Sequence, residues 1–339
     1  MGRHVERLLM GFFMFTMAGS GWAQSAPLSA AGGRAAGWPH SVFAPYIDVT
    51  LAHPSLAQYA SATGSKYFSL GFIVSHLRTC EARWGGGIPL SRNYLLAEIN
   101  ELRDDGGDVV PSFGGAAGTE LAVACVTVGS LQAQYQAVID AYSLTRLDFD
   151  VEGNALKNRI ANDRRNRAIA RLQAAAGRRG KELIVSFTLP VNPTGLDPVS
   201  LDLLRNAKAN GVKVGIVNVM AMDYFSGPLD MGKTAIEAAK STFDQIRPIF
   251  DEKSDSEVWA MIGITPMIGV NDDTTEVFDL SNASEVLAFS QEHDTGLIAY
   301  WDTWRDQQCP SGTPQPSNTC SGVSQSPNAF TDLFKAFTQ

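Results

Sequence analysis

Asp148, Asp150 and Glu152 stand two residues apart in the run Arg146-Leu147-Asp148-Phe149-Asp150-Val151-Glu152-Gly153. On a β-strand, successive side chains point to opposite faces. This spacing therefore puts three carboxylates on one face and Leu147, Phe149 and Val151 on the other. Neighbouring acids along such a strand lie about 6–7 Å apart, two steps of ~3.3 Å. Like charges at that distance resist ionising together, so some of the group hold their protons above the usual carboxylate range. A row of acids that keeps a proton near neutrality is suited to general acid and base chemistry.

A strand with two such different faces needs a different environment on each side. A closed parallel barrel supplies both: helices cover the outside, and the inner residues rise toward a mouth. Strand-like runs rich in Val, Ile, Phe and Tyr fall at 43–50, 67–75, 108–115, 146–153, 182–190, 215–225, 258–269 and 296–304. Helix-like runs alternate with them at 56–63, 91–105, 131–143, 155–177, 198–209, 231–248, 282–293 and 328–338. Ser91, Asn154, Asp197 and Asn282 are candidate helix caps, and Gly177 and Gly211 candidate stops. The expected fold is α/β: a (β/α)8 TIM barrel in one domain over 41–339, with no α+β insertion between strands seven and eight. An open doubly wound sheet is the alternative. It usually carries a Gly-rich phosphate loop after its first strand, where this chain has Thr50-Leu51-Ala52-His53-Pro54.

Residues 1–23 resemble a secretory signal. Arg3, His4 and Arg7 precede a short apolar run, and Gly21-Trp22-Ala23 offers a small-x-small cleavage site. No other apolar run reaches the ~18 residues of a membrane span, so the expected product is a secreted protein, extracellular or periplasmic, with no membrane partner after cleavage. Residues 24–40, rich in Ala, Gly and Ser, form an expected flexible lead-in. The chain has 339 residues and is 45% apolar, enough for one large core. Its net charge of −8 argues against nucleic acid and suits a neutral or cationic substrate. The four cysteines are expected to pair as Cys80–Cys125 and Cys309–Cys320, each pair falling in neighbouring loops. Scattered histidines and no C-x-x-C give no metal site, no His-based triad and no cofactor.

Four segments together resemble the family 18 glycoside hydrolases, the chitinases. Asp148, Asp150 and Glu152 match the last three acids of the family's D-x-x-D-x-D-x-E on strand four; Thr145 replaces the first. Ser112-Phe113-Gly114-Gly115 is similar to its S-x-G-G on strand three. Met220-Ala221-Met222-Asp223-Tyr224 is similar to its Met-x-Tyr or Met-Asp-Tyr segment on strand six, and Tyr300-Trp301-Asp302 lies where the family puts a Trp under the sugar.

The resemblance implies a retaining, substrate-assisted hydrolysis of β-1,4-linked N-acetylglucosamine, in chitin or chitooligosaccharides. Glu152 is then the general acid/base. Asp150 steers the substrate's acetamido group, Asp148 exchanges a proton or hydrogen bond with Asp150, and Tyr224 offers its hydroxyl to the acetamido oxygen. Met222, Asp223, Trp301, Gly114, Gly115 and Tyr46 become substrate-binding residues, with Asp223 a candidate for part of the Tyr224 duty. Thr145 implies an altered pH dependence rather than lost activity. Trp84 and Trp304 are either platforms for outer sugars or packing. The short segment 270–295 suits an open cleft and endo-type cleavage by a monomer. Two other readings stay open: a chitin-binding lectin on the same barrel, and an endo-β-N-acetylglucosaminidase acting on N-glycans.

Overall fold

The computed structural model describes residues 37–52, 54–310 and 316–338. The signal-like segment 1–23 and most of the lead-in lie outside the described residues. The lead-in ends earlier than expected, because the chain is anchored from Trp38 onward. Trp38 Nε1 donates to Asp108 Oδ2 at 3.0 Å, and the Arg146 guanidinium sits 4.5 Å from its ring centroid.

Eight parallel staves form the central sheet. The first is in two pieces, Val42–Phe43 and Tyr46–Asp48. The others are Tyr67–Ser75, Asp108–Gly114, Arg146–Asp150, Ile184–Asn192, Val214–Ala221, Ile262–Pro266 and Leu297–Ile298. Each pairs with the next in sequence. The lower piece of the first stave pairs with the eighth and the upper piece with the second, so the ring of pairs returns to its start. The break falls at Pro45, which has no N–H to donate; its carbonyl accepts from Ser69 N at 3.0 Å while Tyr46 N donates to Tyr300 O at 3.0 Å.

The alternation seen in the sequence sorts the side chains into two separate clusters. Val42, Ala44, Tyr46, Tyr67, Ile216, Leu297 and Ala299 pack inside the barrel, with Trp38, Phe72 and Trp301 against them. Leu147, Phe149 and Val151 face outward and are fully buried under the helices. Phe149 stacks on Phe113 (5.3 Å, 17°) and meets Tyr135 edge-on at 5.1 Å. Burying each such side chain is worth about 1.5–3 kcal/mol. The helix Val128–Tyr142 buries Leu131, Tyr135, Val138 and Tyr142, one face at helical spacing.

Helices Leu56–Thr63 and Pro198–Ala209 begin and end as the sequence indicates. Elsewhere local caps move the boundaries. Thr127 caps Val128–Tyr142 three residues early. Asn158 breaks the fourth helix into Gly153–Lys157 and Arg159–Gly177. Asp279 caps Leu280–Glu292, with Asn282 completing its capping box rather than starting the helix. The link between staves seven and eight is not all helix: it holds a two-stranded ribbon, Gly269–Val270 with Val277–Phe278, but no inserted domain. Both disulfides join as expected, Cys80 to Cys125 and Cys309 to Cys320. Trp84 is packing and not a platform: it is fully buried and donates to Tyr142 Oη at 2.8 Å.

Candidate active site

The fourth stave carries its acids up the inside of the barrel, and Glu152 caps the short helix at its upper end. Arg146, Asp148 and Asp150 share the inner face. Thr145 has the opposite parity and stands outside this column, so the missing first acid leaves no gap beneath Asp148; Arg146 fills that level, under Trp38.

Asp148 sits at the centre of a polar layer built by neighbouring staves. Its Oδ2 accepts from Tyr46 Oη (2.9 Å) and Ser112 Oγ (2.6 Å), and its Oδ1 from Ser186 Oγ (2.5 Å) and Thr188 Oγ1 (2.9 Å). Asn218 Nδ2 donates to Thr188 Oγ1 at 3.0 Å, and its Oδ1 accepts from Thr265 Oγ1 at 2.8 Å. Burial still lifts the Asp148 pKa, although all four hydroxyl bonds pull it down. Both oxygens are thus committed, and Asp148 makes no hydrogen bond to Asp150, contrary to expectation. Tyr46 is likewise a donor to Asp148 beneath the mouth, buried to 2% exposure, rather than a group lining it.

Asp150 is different. It is 4% exposed, and its Oδ1 has no hydrogen-bond partner among the described residues. Burial, then Glu152, then Asp148 push its pKa well above the usual carboxylate range. An unmatched buried oxygen costs about 1–3 kcal/mol, so Asp150 is ready for a donor brought by a ligand. Glu152 is partly exposed; burial and the nearby charge of Asp223 raise it as well. The Glu152 charge thus helps Asp150 to keep its proton.

Of the two polar residues expected from the sixth stave, Asp223 lies near Glu152 and Tyr224 does not. Asp223, partly exposed at the stave's end, faces Glu152, and burial raises its pKa. Tyr224 turns the other way. It joins the outer core, its hydroxyl is buried without a hydrogen-bond partner, and its charged neighbours are Glu276 and Glu237, the latter on the covering helix Met231–Ile246. Alternation puts Met220 on the inner face, where it is partly exposed like Met222 beyond it. Trp301, also partly exposed, stacks on Phe72 (5.5 Å, 17°), with Tyr46 6.0 Å away. Trp301, Phe72, Met220 and Met222 are thus partly exposed apolar groups at the same end of the barrel as Glu152 and Asp223. Phe72 and Met220 were not singled out in the sequence.

Gly114 and Gly115 shape the cup without leaving it space. A Cβ on Gly114 would lie 2.0 Å from the Asp150 carbonyl oxygen, and one on Gly115 2.8 Å from the Phe72 ring. Their bare backbones let stave three close on stave four, and Gly115 N donates to Asp150 O at 3.1 Å. A hollow of about 1280 Å3, lined by His40, Lys181, Lys213, Glu252 and Asp294 among others, lies at the opposite end of the barrel. It holds none of these acids, and barrels of this type carry their chemistry at the C-terminal ends of the staves. Among the described residues no cluster could hold a metal ion, and no helix is long and apolar enough to cross a membrane.

Asp302, next to Trp301 and 1% exposed, has its pKa pushed to about 7 by burial, with Arg305 opposing and Asp48 adding to the shift. Asp148, Asp150, Glu152 and Asp302 are all raised in the folded chain. Their contribution to stability is therefore complete below the unfolded values and is lost as pH climbs through the folded ones. For Asp302 that window runs from 3.8 to about 7. The denaturation midpoint should fall between pH 5 and pH 8, by a few kcal/mol of stability. A midpoint that is flat or rises over that range would show these acids already ionised in the fold.

No protein-family model matches the sequence. The chain is 38% identical over 315 residues to the probable bifunctional chitinase/lysozyme of Escherichia coli (strain K12), covering 89% of this chain and 35% of that protein. It is 38% identical over 282 residues to endochitinase 11 of Metarhizium anisopliae, covering 79% of this chain and 53% of that one. The chain thus spans about a third and about half of the lengths of these two relatives. The catalytic domain of the hyperthermophilic chitinase from Pyrococcus furiosus superposes with a TM-score of 0.82 at 38% identity, over 89% of this chain and 96% of that one. Catalytic-site mutants of that chitinase have also been solved complexed with chito-oligosaccharides (TM-score 0.81, 38% identity). Near-complete coverage of a chitinase catalytic domain at this identity, on a barrel with its acids in register, means that the chain belongs to glycoside hydrolase family 18.

Proposed function

We propose that the protein is an exported chitinase that cleaves β-1,4 bonds between N-acetylglucosamine units, with retention of anomeric configuration and help from the substrate itself. The observation that carries this reading is the pair Asp150 and Glu152: two raised carboxyls side by side on one stave, with the third raised acid, Asp223, engaged by the Asp272 amide at the end of stave six. Double displacement by enzyme carboxylates needs two acids flanking the scissile bond about 5–5.5 Å apart. Here both come from one stave, so the far face of the sugar is left to the substrate's own acetamido oxygen.

In the first step the acetamido oxygen attacks C1 while the C1–O bond to the leaving sugar breaks. Glu152 gives its proton to the departing oxygen. Asp150 accepts a hydrogen bond from the acetamido N–H with its unmatched oxygen and balances the positive charge of the oxazolinium ring. In the second step water attacks C1, Glu152 takes its proton, and the acetamido group reforms. Trp301 and Phe72 offer apolar floor to the pyranose face and the acetyl methyl. Asp223 keeps the Glu152 proton in place through its charge. Two disulfides and the signal-like start support export.

The test is the product pattern. Oligomers of N-acetylglucosamine should be cut, with the β-anomer released first, while fully deacetylated oligomers and cello-oligomers of equal length should be left intact. Turnover of the deacetylated substrate, or initial release of the α-anomer, would remove substrate assistance from the mechanism.

A further inference from the structure

We propose that Glu276 and Asn271 are positioning residues for the reaction: the ribbon between staves seven and eight grips the loop after stave six and fixes Asp223 against Glu152. The proposal builds on the assignment of Glu152 as the acid.

The loop cannot hold its own shape. Asp223 and Phe225 both lie in the left-handed region, at φ +50° and +53°, and neither is glycine. Four bonds from the ribbon hold them there. Glu276 Oε2 accepts from Tyr224 N (2.8 Å) and its Oε1 from Ser226 N (3.2 Å). Asn271 Oδ1 accepts from Asp223 N (3.2 Å), and Asp272 N donates to Asp223 Oδ1 (2.8 Å). The ribbon is itself secured. Asn271 Nδ2 donates to the carbonyls of Met267 (3.0 Å) and Gly269 (3.1 Å), and the buried Arg305 guanidinium donates to those of Ile268 (3.0 Å) and Val270 (2.5 Å).

Glu276 and Asn271 have no exposed surface. A carboxylate is an expensive group to bury for packing alone. Here both of its oxygens are spent on backbone amides either side of Phe225, one residue beyond the acid that faces Glu152. Glu152 faces Asp150 on its own stave and Asp223 from the loop. Asp223 in turn faces Asp272 and Glu276 on the ribbon and Arg305 beyond stave eight, and Asp150 faces Asp148 below. The clamp thus sets the one charge that reaches Glu152 from another stave.

Glu276→Asp keeps the charge but is one methylene too short to reach both amides. The expected result is faster hydrogen exchange at the Tyr224 and Ser226 amides and about a tenfold lower kcat/KM. The alkaline limb of the pH profile should move about half a unit to one unit lower, because Glu152 loses a neighbouring negative charge. Asp223→Asn should move the limb the same way, and the double variant should move it no further than either single one. A lowered melting temperature with the limb unmoved, or shifts that add in the double variant, would overturn the proposal. Glu276→Gln, which keeps the shape but one acceptor oxygen, is the second variant should Glu276→Asp not fold; it should still speed exchange at one of the two amides. If Glu152→Gln retains full turnover, the catalytic assignment fails by itself. The clamp is then judged on exchange alone, and unchanged protection in Glu276→Gln overturns it.

Discussion

Glu152→Gln should lower kcat on N-acetylglucosamine oligomers by about 10³-fold or more, while oligomer affinity changes by no more than a few-fold. The amide fills the same space at the top of the stave and keeps the cup intact, but it has no proton of suitable acidity for the leaving oxygen. A leaving sugar alkoxide without a proton is a very poor leaving group, so nothing else in the cup compensates; Asp150 lies deeper and Asp223 comes from another stave. Initial rates with a chromogenic chitobioside whose leaving group needs little protonation provide an internal control. The loss should shrink markedly there, since the acid matters most when the departing oxygen is most basic. Equal turnover by wild type and variant would remove Glu152 as the acid, and binding without turnover in the wild type would leave the lectin reading standing.

Asp148→Asn should be the most damaging of the buried substitutions that change only one atom. Four hydroxyl protons point at Asp148, two at each oxygen. An amide turns one of those oxygens into a donor, so whichever way it sits, two hydroxyls confront an N–H2. Tyr46 and Thr188 can turn toward each other, at 3.0 Å, and Ser186 has only the Leu147 carbonyl at 3.5 Å, but Ser112 has no such escape. About 3 kcal/mol of stability should go, measured by chemical denaturation, and kcat should fall about 10²-fold. The second effect arises because the disturbed layer holds the stave on which Asp150 and Glu152 stand. Tyr46→Phe, which takes away one donor of four, should give a small fraction of both effects.

The barrel was legible because its signals are local and repeated. Every stave overlaps its strand-like run and overruns it by two residues at most, at Val42, Asn192 and Val214, and the parity of Asp148, Asp150 and Glu152 gave the inner column directly. Parity does not reach past the stave's end: at Ala221 the sixth stave stops, and Met222 N turns back to Met220 O at 2.9 Å. Beyond that turn alternation no longer decides direction, so Tyr224 goes outward and Asp223 inward. The hydroxyls around Asp148 were present in the sequence as inward positions of staves one, three and five, yet Ser and Thr on a strand do not announce what they surround. Glu276 and Asn271 carried no signal at all. They lie in a stretch whose shape depends on contacts with staves six and eight, and no local pattern encodes a partner fifty residues away.

The two-piece first stave has a consequence for how the molecule comes into being. Its lower half is held by Leu297 and Ile298, and Phe43 N donates to Thr338 Oγ1, 295 residues along the chain. The seam of the ring therefore joins the earliest of the described residues to nearly the last of them. No partial chain can shut the cylinder, so the growing polypeptide stays open throughout synthesis, and closure waits on contacts of the greatest sequence separation the molecule offers. A nascent chain in that condition is one that a translocation channel could still thread.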